Sequence, residues 1–163
     1  MPMQSRGTLI AVDLDPSSLA AGARPAQAQV EAERAVAIQD LMAENTFLPA
    51  GRDGGRYRLA LSVMDGKLVL DVSDEAGEPV VRHILSMSPF RRVVRDYFLI
   101  CDAYYAAVAG TGLSNIEAID IGRRGLHNEG AEILRERLAG KIAVDFETSR
   151  RLFTLISALH WKG

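Results

Sequence analysis

The strongest pattern along the chain is an alternation: Tyr57, Leu59, Leu61 and Val63 are interleaved with Arg58, Ala60 and Ser62. A period of two over such a run predicts a strand with one buried face. Asp65-Gly66 follows, a pair suited to the two positive-φ positions of a type I′ hairpin turn. Leu68, Leu70 and Val72 then alternate with Val69, Asp71 and Ser73 on the return strand, and a second turn over 74–77 leads into a third strand over 79–87. Upstream, residues 8–14 place Ile10, Val12 and Leu14 on one side and predict another strand. The sum is an antiparallel β-meander of about four strands, one face of which must be covered by helices. On its outer face Ala60, Met64, Val69 and Val81 leave a surface only partly polar, which predicts a partner protein or a second copy of the chain against it.

Elsewhere the period lengthens to that of a helix. From Gln27 onward Val30, Ala37, Leu41 and Met42 share a stripe that should end near Asn45. Residues 47–55, with Pro49, Gly51, Gly54 and Gly55, read as a loop. Ser88-Pro89 offers a serine cap followed by proline at a position that needs no N–H. The helix after it spaces Phe90, Val93, Val94, Tyr97, Cys101, Tyr104, Tyr105 and Val108 by threes and fours, stops at Gly110, and is expected to be the central helix on the sheet. Ser114-Asn115-Ile116-Glu117 reads as a capping box, Gly125 as the stop of that helix, and Asn128 as the cap of another that runs to Leu138. A short strand over 142–144 precedes Asp145, the expected cap of a last helix with Leu152, Phe153, Ile156 and Leu159 as its buried stripe. The fold class is therefore α+β with a helical C-terminal half. A chain of 163 residues is long enough for one core, so residues 1–163 are read as a single domain with a flexible Ala/Gly/Pro-rich linker over 15–26.

Composition narrows the function classes. A net charge of −2 gives no overall attraction to nucleic acid or anionic lipid. One cysteine, Cys101, excludes an intrachain disulfide and a thiolate metal cluster. The first residues lack a signal-peptide pattern, and the apolar stretch over 98–108 contains Asp102 and is too short to span a bilayer. A cytoplasmic setting away from membranes is expected.

Potential chemistry concentrates in residues 125–130, Gly-Leu-His-Asn-Glu-Gly. His127 is the candidate general base, with Glu129 and Asp120 as its partners. A helix start at Asn128, flanked by Arg123 and Arg124, would admit a small anion. Cap and turn chemistry explains the same residue types without any ligand. His83, His127 and His160 have no paired metal-ligand spacing, and the H-x-E at 127–129 lacks the P-C-x-x-C of a zinc deaminase, so no metal is expected. Gly51-Arg52-Asp53-Gly54-Gly55 matches no phosphate-binding loop, so no cofactor is implied.

Arg91, Arg92 and Arg95, joined by Arg123, Arg124, Arg150 and Arg151, form a candidate surface for nucleic acid or a partner. The two helices expected around Gly125 have the size of a helix-turn-helix. Against DNA, the second of them carries Glu129, Glu132 and Glu136, which would face phosphates unfavourably.

Several motifs resemble an uncharacterised bacterial family of the UPF class, to which no function is assigned. They are Tyr57-Arg58-Leu59, Ser88-Pro89-Phe90-Arg91, Ile116-Glu117-Ala118-Ile119-Asp120, Arg124-Gly125-Leu126-His127-Asn128-Glu129-Gly130-Ala131 and Arg150-Arg151-Leu152-Phe153-Thr154-Leu155. The resemblance implies a bacterial cytoplasmic protein and brings no catalytic residue with it. On the residues alone, a protein-interaction or regulatory module without catalysis leads. A small enzyme or anion-binding protein centred on His127 is the alternative, and nucleic-acid binding through the arginines is the third reading.

Overall fold

The computed structural model describes residues 7–16, 27–110 and 113–159. Its strands are β1 (Gly7–Leu14), β2 (Phe47–Pro49), β3 (Gly55–Met64), β4 (Lys67–Asp74), β5 (Pro79–Ser86) and β6 (Ile142–Val144). Its helices are α1 (Gln27–Ala43), α2 (Arg91–Ala109), α3 (Leu113–Leu138) and α4 (Phe146–Ser157). Most of the expected linker, residues 17–26, lies outside the described residues, as does His160.

The meander forms as its local chemistry dictates. β3 and β4 pair antiparallel, with Leu61 opposite Leu70, and β5 continues the sheet with Leu85 opposite Leu68. Asp65 and Gly66 both have positive φ, 52° and 72°, the geometry of the type I′ turn. β1 joins the other edge but runs parallel to β3, which makes the four-stranded sheet mixed, in the order β1-β3-β4-β5. A parallel neighbour requires a crossover, and α1 supplies one.

The pairing also corrects two side assignments. The register of β1 slips between Leu9 and Ala11, so Leu9 and Val12, not Ile10, enter the core. Asn45 supports the slip: its Oδ1 accepts from the Leu9 N–H at 2.7 Å and its Nδ2 donates to the Leu9 carbonyl at 2.8 Å. Val81 pairs with buried Val72 and so belongs to the inner face. On the outer face Val69, opposite Ser62 and Ile84, is itself buried, which leaves Met64 and Ile84 as the exposed apolar groups at 54% and 56%.

Four further readings change. Residues 47–49, expected as loop, form β2 and pair antiparallel with β6; a three-residue strand carries too little alternation to be seen, and its partner lies far along the chain. Ser88–Phe90 is a 3-10 turn in which Ser88 caps nothing, and α2 begins at Arg91. α4 rather than α2 is the most buried helix: residues 152–157 are all buried, whereas α2 leaves Leu99 and Val108 more than half exposed. Finally, α3 runs unbroken through Gly125 and Asn128. A mid-helix glycine weakens a helix by only about 1 kcal/mol. Packing against both α2 and α4 outweighs that. Asn128 is therefore no cap, and the helix-turn-helix does not exist.

Asp145 does cap α4, its Oδ1 accepting from the Thr148 N–H at 2.8 Å. Leu152, Phe153, Ile156 and Leu159 are buried in one core with the inner sheet residues. None of the helices, among the described residues, is long and apolar enough to cross a membrane.

Candidate functional site

The helical layer leaves a cleft of about 550 Å³ bordered by all four helices. α3 supplies Arg123, Arg124 and His127, which the three- and four-residue spacing puts on one face. α4 supplies Arg150, Arg151 and Thr154, α1 supplies Glu33 and Asp40, and α2 supplies Tyr97.

His127 is fixed by its neighbours. Tyr97 stacks on it with ring centres 5.8 Å apart, and Phe153 meets it edge-on at 5.7 Å. Phe153 approaches because residue 130 is glycine; a Cβ there would fall 2.3 Å from the phenyl ring. The His127 Nε2 lies 2.5 Å from the Thr154 Oγ1, and that hydroxyl donates to the Arg150 carbonyl at 3.2 Å. A hydroxyl has one proton to give. Directed to the carbonyl, it leaves Oγ1 to accept from a His127 protonated on Nε2; directed to the ring, it is donated to Nε2. Burial first, then the charges of Arg150 and Arg123, lower the imidazole pKa to about 4. At neutral pH His127 is therefore an uncharged ring among cations.

Beside it runs a hydrogen-bonded chain. The Tyr97 hydroxyl donates to Glu33 Oε1 at 2.6 Å, and Arg123 donates to Glu33 Oε2 at 3.0 Å and to Asp120 Oδ1 at 2.7 Å. Arg124 holds the other Asp120 oxygen at 2.8 Å. Burial and the adjacent Glu33 raise the Tyr97 pKa, so the phenol stays protonated. Hydrogen bonding to Arg123 holds Asp120 below the usual carboxylate range. Cys101, against the same ring, is buried and its thiol is pushed up to about 12, chiefly by burial; it is an inert core thiol.

Two of the arginines are loosely held. Arg151 approaches Asp40 and Glu147 only to 3.9 Å. Arg150 reaches Glu147 at 3.3 Å, while its Nε is buried without a hydrogen-bond partner among the described residues. Four guanidinium groups face two lining carboxylates, Glu33 and Asp40.

The structure brings together His127, Arg123 and Arg124, with Asp120 bound to the arginines rather than to the imidazole. It separates others. Glu129 is bonded to Arg92, on α2, and Asn128 is exposed within α3. Arg91, Arg92 and Arg95 are exposed, but Arg92 also pairs with Asp96 at 3.3 Å, which cancels part of the patch. Among the described residues, no group of three or more His, Cys, Asp or Glu is placed to hold a metal ion. Glu33, Tyr97 and Thr154 were not singled out from the sequence as site residues. Their meeting depends on the packing of three helices, which spacing within any one element does not reveal.

Fold and cleft together define an α+β domain with a mixed sheet and an arginine-lined pocket in its helical layer. The chain belongs to the Uncharacterised protein family UPF0262, whose profile matches residues 6–162. It is 51% identical over 162 residues to a UPF0262 protein of Rhodopseudomonas palustris, covering 99% of this chain and 97% of that one. A UPF0262 protein of Rhizobium etli is 60% identical over 134 residues, 82% of this chain and 85% of the relative. One from Brucella anthropi is 62% identical over 135 residues, 82% and 84% of the respective lengths. No solved structure matches the chain. The bacterial family read from the motifs is thus the right one.

Proposed function

We propose that the protein is a cytoplasmic binding module, a single domain over residues 1–163, whose ligand is a small carboxylate or phosphate anion seated in the His127 cleft. The observation that carries this reading is the gathering of four arginines, two of them loosely held, around a neutral, partly buried histidine. A carboxylate or phosphate would engage Arg150 and Arg151, whose present partners are weak. The uncharged His127 ring, with Nε2 on Thr154, would hydrogen-bond a hydroxyl of the same ligand through Nδ1. The test is calorimetric titration with citrate, malate and inorganic phosphate. Saturable binding of one of them, weakened at least about tenfold, or 1.4 kcal/mol, by Arg151→Ala, supports the reading. Absence of binding by all three, or binding indifferent to Arg151→Ala and Arg124→Ala alike, refutes it.

A second reading, that the module works through protein contacts, is favoured by exposed Met64 and Ile84 on the outer face of the sheet. The two are compatible: a ligand-sensing domain needs one surface for the ligand and another for its partner.

A further inference from the structure

A second cavity, of about 340 Å³, lies where α3 ends, between the turn after β2 and the start of β6. Arg52, Arg135 and Lys141 line it, and no carboxylate does. This sets it apart from the His127 cleft, where every arginine has a carboxylate within 4.0 Å. None of Arg52, Arg135 and Lys141 forms an ion pair among the described residues. The charge of Lys141, second to burial, lowers the pKa of His83.

The backbone that carries these cations is held firmly. The Ala50 N–H donates to the Lys141 carbonyl at 2.9 Å, the Lys141 N–H to the Leu138 carbonyl at 2.8 Å, and the Arg52 N–H to the Pro49 carbonyl at 3.2 Å. Arg135 is anchored through Nε, which donates to the Val144 carbonyl at 3.3 Å. That leaves its two terminal nitrogens for a ligand. Gly51 and Gly140, both at positive φ, have open space where a side chain would stand, so the mouth is unobstructed.

We infer that this cavity is a second anion site, built to take a single phosphoryl group. Three cations that share a cavity without a counter-charge repel one another, and a bound anion relieves that repulsion. A phosphate monoester near neutral pH carries about −1.5 to −2 charges and three acceptor oxygens. That charge and acceptor count match two guanidinium groups and an ammonium better than a monovalent carboxylate does. The same surface disfavours a long polyanion, because Glu132 and Glu136 are exposed on the last turns of α3. A lone phosphoryl group on a small molecule enters the cavity; a nucleic acid strand must cross those carboxylates.

The full chain labelled with 15N is titrated with inorganic phosphate at constant ionic strength, with chloride as the control. The amide signals of residues 50–52 and 139–143 should shift to saturation with phosphate and not with chloride. Lys141→Ala and, independently, Arg52→Ala should each weaken the effect by about tenfold or more. Arg52 is exposed and Lys141 only partly buried, so circular dichroism should show these variants folded. Arg151→Ala, in the other cleft, should leave these shifts unchanged, so the failure of either site is read separately. Shifts that grow without saturating, or that survive both substitutions, overturn the assignment. Tighter binding of a single-stranded oligonucleotide than of a phosphorylated sugar overturns the restriction to a single group.

Discussion

Acidification from pH 7 to pH 5 protonates His127 in the unfolded chain but not in the folded one. The ordinary imidazole value is 6.5, and burial with Arg150 and Arg123 nearby lowers it to about 4. Between those values the unfolded state binds more protons, so stability rises with pH and is lost as pH falls through the window. Linkage with these two values gives a loss of about 2 kcal/mol between pH 7 and pH 5, and about 3 kcal/mol by pH 4. Asp120 and Asp145 are lowered below 3.8 and lose their contribution only at more acid pH. His83 is lowered too and acts in the same sense, so the measurement needs a reference that keeps it. His127→Gln is that reference: its amide still donates to the Thr154 Oγ1 but does not titrate. Urea unfolding at pH 7 and pH 5 should show the wild type losing about 2 kcal/mol more than the variant. Equal losses in the two proteins would mean that His127 is not held neutral by its surroundings.

Three other expectations test the packing and the surfaces. Gly125→Ala should stabilise the protein by about 0.5–1 kcal/mol in urea unfolding, because Gly125 lies inside a continuous helix with open space around it; destabilisation would restore the chain break that a glycine suggests. Gly130→Ala should do the opposite, losing about 1–3 kcal/mol because the new methyl group strikes Phe153, and it should also disturb the His127 ring signals in NMR. If the outer sheet face seats a second copy, the wild type should have the solution mass of a dimer by light scattering, and Met64→Glu or Ile84→Glu should reduce it to that of a monomer. Val69 is unsuitable for this test, since it is buried and a glutamate there would unfold the sheet.

The β3–β4 hairpin was legible in the sequence because its determinants are local. Alternation sets the buried face, and Asp65-Gly66 sets the turn and therefore the register. The Asp145 cap and the buried stripe of α4 were legible for the same reason, since both depend on residues within one or two turns. The parallel placement of β1 was not, nor the β2–β6 pair, because strands far apart in sequence find each other through the shape of the whole core. Gly125 shows the limit most directly. Its propensity to end a helix is worth about 1 kcal/mol, less than what α3 gains by packing against two neighbours.

The site divides along the same line. His127, Arg123 and Arg124 share a helix face, so their spacing alone brought them together. Glu129, two residues on, points elsewhere and is taken by Arg92 from α2. Glu33, Tyr97 and Thr154 come from three other helices. The sequence determined which side chains each element presents. Tertiary packing decided which of them meet, because burial and the neighbouring charges that set the state of His127 arise only once the helices close around it.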